Sequence, residues 1–123
     1  MERRASLWVS FSLNEIKSIW HDGIPEYPEQ DVKKIMDAVS ADCRDVCCCF
    51  YLFRYLHLTP TPGATLAGDY CFARFSKHLS DLDSVPMNDA FAEYLKEDTA
   101  SSKSLDTYLD FVRTISEISV DGA

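Results

Sequence analysis

Residues 46–58 read Val-Cys-Cys-Cys-Phe-Tyr-Leu-Phe-Arg-Tyr-Leu-His-Leu, and only Arg54 and His57 interrupt the apolar character. A helix that is hydrophobic on all sides has to be buried on most of them. Upstream, Val32, Ile35, Met36, Val39, Cys43, Val46, Cys47 and Phe50 recur at mostly three- and four-residue steps, which predicts one long helix starting at Glu29. Its first half is amphipathic, with Asp31, Lys33, Lys34, Asp37 and Arg44 on the other side. A chain of 123 residues has few other segments with which to cover the apolar half, so a subunit interface is expected there. A β-strand over residues 46–53 is the competing local reading. Those eight residues are the longest uninterrupted apolar run, and a membrane span needs about 20, so no span is expected.

The rest of the chain punctuates itself. Ser12 and Glu15 form an S-x-x-E capping box that opens a short helix through Ile16, Ile19 and Trp20, and Gly23 supplies its C-terminal cap. Pro25 and Pro28 make the next stretch a connector. Thr59-Pro60-Thr61-Pro62-Gly63 is a break, after which Leu66, Tyr70, Phe72, Phe75, Leu79 and Leu82 are the expected apolar positions of a further helix. Ser84 caps another, with Pro86 in its first turn and Met87, Ala90, Phe91, Tyr94 and Leu95 facing inward. Leu105, Tyr108, Leu109, Val112 and Ile115, widened by Phe111 and Ile118, form the stripe of a last helix. The reading is all-α, a single-domain bundle of about five helices spanning residues 1–123, with no repeat and no interdomain linker.

Composition narrows the function without naming it. The formal charge of -8 leaves no basic surface to neutralise phosphates, which argues against nucleic-acid binding. Residues 1–13 only faintly resemble a signal peptide, because Ser6, Ser10 and Ser12 break the apolar stretch, so a cytoplasmic protein is expected. Cys43, Cys47, Cys48, Cys49 and Cys71 are odd in number, and adjacent helical residues point about 100° apart, so they make a poor disulfide framework. Reduced cysteines buried as small hydrophobes are expected. The alternatives are a reactive thiol, or a metal site recruiting Cys43 and Cys47 with His57 or Cys71, which no ligand-spacing motif supports.

The catalytic inventory is short. Four scattered glycines build no phosphate cradle, and His21, His57 and His78 lie on different segments. His78 and Asp81, at i,i+3, read as a surface hydrogen bond rather than a catalytic dyad. Asp89, Glu93 and Glu97 fall at i,i+4 steps and read as a solvated face whose mutual repulsion a basic partner could relieve. Gly68 within a helical pattern costs roughly 1 kcal/mol against alanine, so a close approach of another element is expected there. Asp69 would then be partly buried against Arg44, Arg54 or Arg74.

Thr65-Leu66-Ala67-Gly68-Asp69-Tyr70, followed by Phe72, Ala73 and Phe75 and ending in Lys77-His78-Leu79-Ser80, resembles the LAGDY-type helix of trans-polyprenyl diphosphate synthases. Within that family it is most similar to the small non-catalytic subunit of heterodimeric heptaprenyl diphosphate synthases, and the likeness extends loosely from Glu29 to Asp98. The catalytic members hold Mg²⁺ on DDxxD motifs. Here the nearest equivalent, Asp42-Cys43-Arg44-Asp45, lacks the doubled aspartate, and a second motif is missing. The resemblance therefore implies a partial isoprenoid-synthase-like bundle that does not turn over substrate alone. It would support chain elongation by a larger DDxxD-bearing subunit, which would carry the Mg²⁺, with no cofactor on this chain. The expected interface comprises Cys47, Phe50, Tyr51, Phe53, Arg54, Leu66, Gly68, Asp69, Tyr70 and Phe72, toward that subunit or a second copy. The alternative is an acidic inhibitor or adaptor, of the kind phages use, that occupies a basic cleft by charge mimicry through Asp89, Glu93 and Glu97.

Overall fold

The computed structural model describes residues 27–58, 61–98 and 105–122, and among them every regular element is helical. Five α-helices follow one another: α1 (Glu29–Ala38), α2 (Arg44–His57), α3 (Pro62–Leu82), α4 (Val85–Asp98) and α5 (Leu105–Gly122). The expected all-α bundle is what the chain forms, and the strand reading of residues 46–53 is overturned. The Ser12–Glu15 capping box and the helix expected after it lie outside the described residues.

The single long helix expected from Glu29 is two. Val39 takes φ -117°, ψ 157° and Ser40 φ -66°, ψ 157°, so the backbone is extended at both before a 3-10 turn, Ala41–Cys43, leads into α2. The break is stabilised by groups that a helix would leave orphaned. The Ser40 amide donates to Ser116 Oγ on α5 at 3.0 Å, and Arg44 Nε donates to the Met36 carbonyl at the end of α1 at 3.3 Å. Val39 and Cys43 keep their four-residue spacing across the kink, and both stay buried.

Helix α2 is the axis of the bundle. Val46, Cys47, Cys48, Cys49, Phe50, Leu52, Phe53 and Leu56 are all buried on it. The expectation that so small a chain could not cover this helix is corrected by the rings around Phe50. They are Phe75 from α3 at 5.0 Å, Phe91 and Tyr94 from α4 at 5.1 and 5.9 Å, and Tyr108 from α5 at 6.0 Å. Three helices thus close on one side chain, and such aromatic contacts add about 0.5–1.5 kcal/mol each beyond area burial. The buried Tyr108 hydroxyl donates to the Cys47 carbonyl, which ties α5 to α2.

Local chemistry explains the helix ends. Thr61 Oγ1 accepts the Ala64 amide at 3.2 Å, and Pro62 occupies the first helical turn, where it has no hydrogen bond to lose. The second proline of the expected break therefore starts α3. Asp83 ends α3 in the left-handed conformation at φ 48°, and Ser84 Oγ then accepts the Met87 amide at 3.3 Å to open α4. The inward faces expected for α4 and α5 are the observed ones: Met87, Phe91, Tyr94, Tyr108, Val112 and Ile115 are buried.

The face of α3 is the expected one in part: Phe75 is buried, and Tyr70, Leu79 and Leu82 pack partly buried against the core. Ala64, Ala67, Gly68, Cys71, Phe75 and His78 are buried, whereas Leu66 is 70% and Phe72 41% exposed. Small side chains let α3 lie close along the bulky α2, and this pair forms the most extensive helix contact of the bundle.

Candidate functional site at the seam of α2 and α3

The residues singled out in the sequence divide at this seam into two sets. Cys47, Phe50, Phe53 and Gly68 are buried within the chain's own core. As an interface they are corrected: the partner they were expected to meet is the rest of the bundle. Tyr51, Arg54 and Tyr70 are half-buried, and Leu66, Asp69 and Phe72 reach solvent. Tyr51 donates to Asp31 on α1 at 2.7 Å, and Arg74 Nε donates to the Tyr70 hydroxyl at 3.1 Å with its guanidinium over the ring.

Gly68 marks a close approach, as its cost in a helix implied. A methyl group built there would lie 2.1 Å from Cδ2 and 2.6 Å from Nε2 of His57. The imidazole, at the C-terminal end of α2, lies against the bare backbone of α3 and meets the Phe53 ring edge-on at 4.9 Å. Its Nε2 is 3.0 Å from Asp69 Oδ1. Asp69 is therefore not the buried carboxylate expected beside an arginine: its side chain is 61% exposed and its partner is a histidine. Phe72 flanks the same place, 4.8 Å from Phe53. Leu58, at the end of α2, is 68% exposed.

Further along the seam, polar groups meet where the sequence had suggested only a surface pair. His78 is buried and its Nδ1 stands 3.9 Å from Asp45 Oδ2, across the helices, so its neighbour is not Asp81 alone. Burial pushes the Asp45 carboxyl up to about 6, because the charged form is the one that loses water. That outweighs the favourable position in the first turn of α2, where the helix dipole is worth only about 0.3–1 kcal/mol to an acid. Burial likewise lowers His78, with help from Arg74 and Lys77 and against Asp81. The spacing held the signal that was missed. His78 continues the buried register of Ala64, Ala67, Cys71 and Phe75, and Asp45 lies one turn before the buried Cys49.

The five thiols are buried and unbridged, and burial pushes Cys48 and Cys71 up to about 12. Among the described residues no three His, Cys, Asp or Glu side chains converge as a metal ion would require. Asp42, in the sequence position of a DDxxD motif, is exposed in the 3-10 turn while Asp45 sinks into the seam. Asp89, Glu93 and Glu97 are all exposed, on the side of α4 away from Met87, Phe91 and Tyr94. No helix among the described residues is long and apolar enough to cross a membrane. Compared with protein families, curated proteins and solved structures, the chain matches none.

Proposed function

We propose that this chain is a non-catalytic interaction subunit that binds another protein through the outer side of the α2–α3 seam. The observation that carries the reading is that the core is filled by the chain's own rings while Leu58, Leu66 and Phe72 stay in water. Exposed apolar side chains set among polar ones mark contact surfaces when they cluster. The finer form of the reading takes the partner to be the DDxxD-bearing, Mg²⁺-holding subunit of a polyprenyl diphosphate synthase in the cytoplasm. Its support is the likeness of residues 65–80, whose Leu66, Asp69 and Phe72 lie on the solvent side.

The test is co-purification with such a prenyltransferase, with synthase activity measured for each chain and for the mixture. Leu66→Asp should weaken the complex at least tenfold, with helicity and unfolding temperature unchanged, because Leu66 contributes nothing to the core. A partner fully active alone and indifferent to this chain would refute the finer reading. Equal binding by Leu66→Asp and wild type would refute the surface.

A second reading has its own observation, the exposed row Asp89, Glu93 and Glu97 on a chain of net charge -8. As an acidic adaptor for a basic cleft, the chain would lose binding on double reversal to Glu93→Lys and Glu97→Lys. Binding by the reversed variant at low salt would eliminate it.

A further inference from the structure

We propose that Asp45 and His78 act as one proton-sharing pair across the α2–α3 seam, a pH-responsive lock between the two most extensively packed helices. The geometry places a carboxyl from the start of α2 opposite an imidazole from the end of α3, with side chains only 13% and 8% exposed. Asp45 Oδ1 is fully buried, with no hydrogen-bond partner among the described residues. The Oδ2–Nδ1 distance of 3.9 Å is within ion-pair reach but longer than a direct hydrogen bond, so the shared-proton form requires the two side chains to come closer. Each group alone is disfavoured in its charged form at this depth. One proton between them resolves both penalties: a neutral acid donates from Oδ2 to a neutral imidazole at Nδ1. A second proton places a positive charge at a depth where burial disfavours it, and removal of the last leaves a buried carboxylate.

The neighbours on both helices modulate the pair. From α2, Cys48 and Cys49 feel the Asp45 charge, and Arg44 stands beside Cys48. From α3, Arg74 and Lys77 oppose a charge on His78 and Asp81 favours it.

The sign of each contribution follows from linkage. The Asp45 carboxyl rises from an ordinary 3.8 to about 6, so its contribution is present at low pH and is lost as pH rises across that interval. His78 falls below an ordinary 6.5, so its contribution is present above that value and is lost as pH falls. In the pair the two slopes oppose each other.

The experiment is urea unfolding of the full chain from pH 4.5 to 8, comparing wild type with Asp45→Asn, His78→Gln and the double variant, alongside an NMR titration of His78. The wild-type urea midpoint should vary less between pH 4.5 and 6.5 than that of either single variant. Asp45→Asn should lose stability as pH falls, and His78→Gln should lose it as pH rises. In wild type the His78 resonances should report the Asp45 transition and lose it in Asp45→Asn, a reading that survives even if His78→Gln fails to fold. If His78 titrates identically in wild type and Asp45→Asn, or if the single-variant slopes have the same sign, the proposal is wrong.

Discussion

Replacing Gly68 by alanine tests how α3 is allowed to lie against α2. The new methyl group would overlap His57, whose Cδ2 is 2.1 Å from its position, so either the ring or the helix must move. The ring is cheaper to move, because it sits at the end of a side chain 31% exposed at the terminus of α2. Swinging it out forfeits the exposed contact with Asp69, worth about 0–1 kcal/mol, and the edge-on contact with Phe53, worth about 0.5–1.5 kcal/mol. Against this stands a gain of about 1 kcal/mol in helix propensity when glycine becomes alanine. Gly68→Ala alone should therefore fall between a gain of about 0.5 and a loss of about 1.5 kcal/mol. With His57→Ala already present, the same substitution should stabilise by about 1 kcal/mol, since no atom beyond the ring approaches closer than 3.3 Å. Urea unfolding of the four proteins gives the coupling energy directly, expected at about 0.5–2.5 kcal/mol, the sum of the forfeited His57 contacts. A loss above about 2 kcal/mol for Gly68→Ala in both backgrounds would show that the α2 backbone, and not the imidazole, fills the space, and would refute the reasoning.

Two further substitutions probe single contacts. Tyr108→Phe removes the hydroxyl that donates to the Cys47 carbonyl while keeping the ring, and should cost about 0.5–1.5 kcal/mol in thermal or urea unfolding. Asp83→Gly relieves a non-glycine residue held at φ 48° and should stabilise by roughly 0.5–1 kcal/mol, visible as a raised unfolding temperature.

Where large apolar residues recur at helical spacing and a cap precedes them, structure was legible from residue types. Ser84 with Pro86 placed the start of α4, and Tyr108, Val112 and Ile115 placed the inner side of α5. The kink before α2 was hidden because Val39 and Cys43 keep a four-residue step through it, with no glycine or proline nearby. What makes it is long-range, the hydrogen bond from Ser40 to Ser116. The face of α3 misled for the opposite reason. Leu66 and Phe72 carry the hydrophobic weight, but Ala64, Ala67, Gly68 and Cys71 have the shape that fits against α2. At the seam, Gly68 announced a near neighbour without saying that it was His57. The spacing held the inward positions of Asp45 and His78, but not that the two face each other, because pairing between helices leaves no periodic trace.

The rings that enclose Phe50 also order events in time. Phe75 comes from the helix after α2, but Tyr108 must come from a stretch whose contact with Cys47 spans 61 residues. At about 5–20 residues per second, a ribosome needs roughly 3–12 s to add those residues. During that interval α2 and α3 can pair as a local hairpin, yet the side of Phe50 and Cys47 that Tyr108 will cover remains open. The nascent chain therefore passes through a stage in which its most apolar helix is only partly sheathed. Vulnerability to aggregation or to chaperone capture is concentrated before α5 arrives.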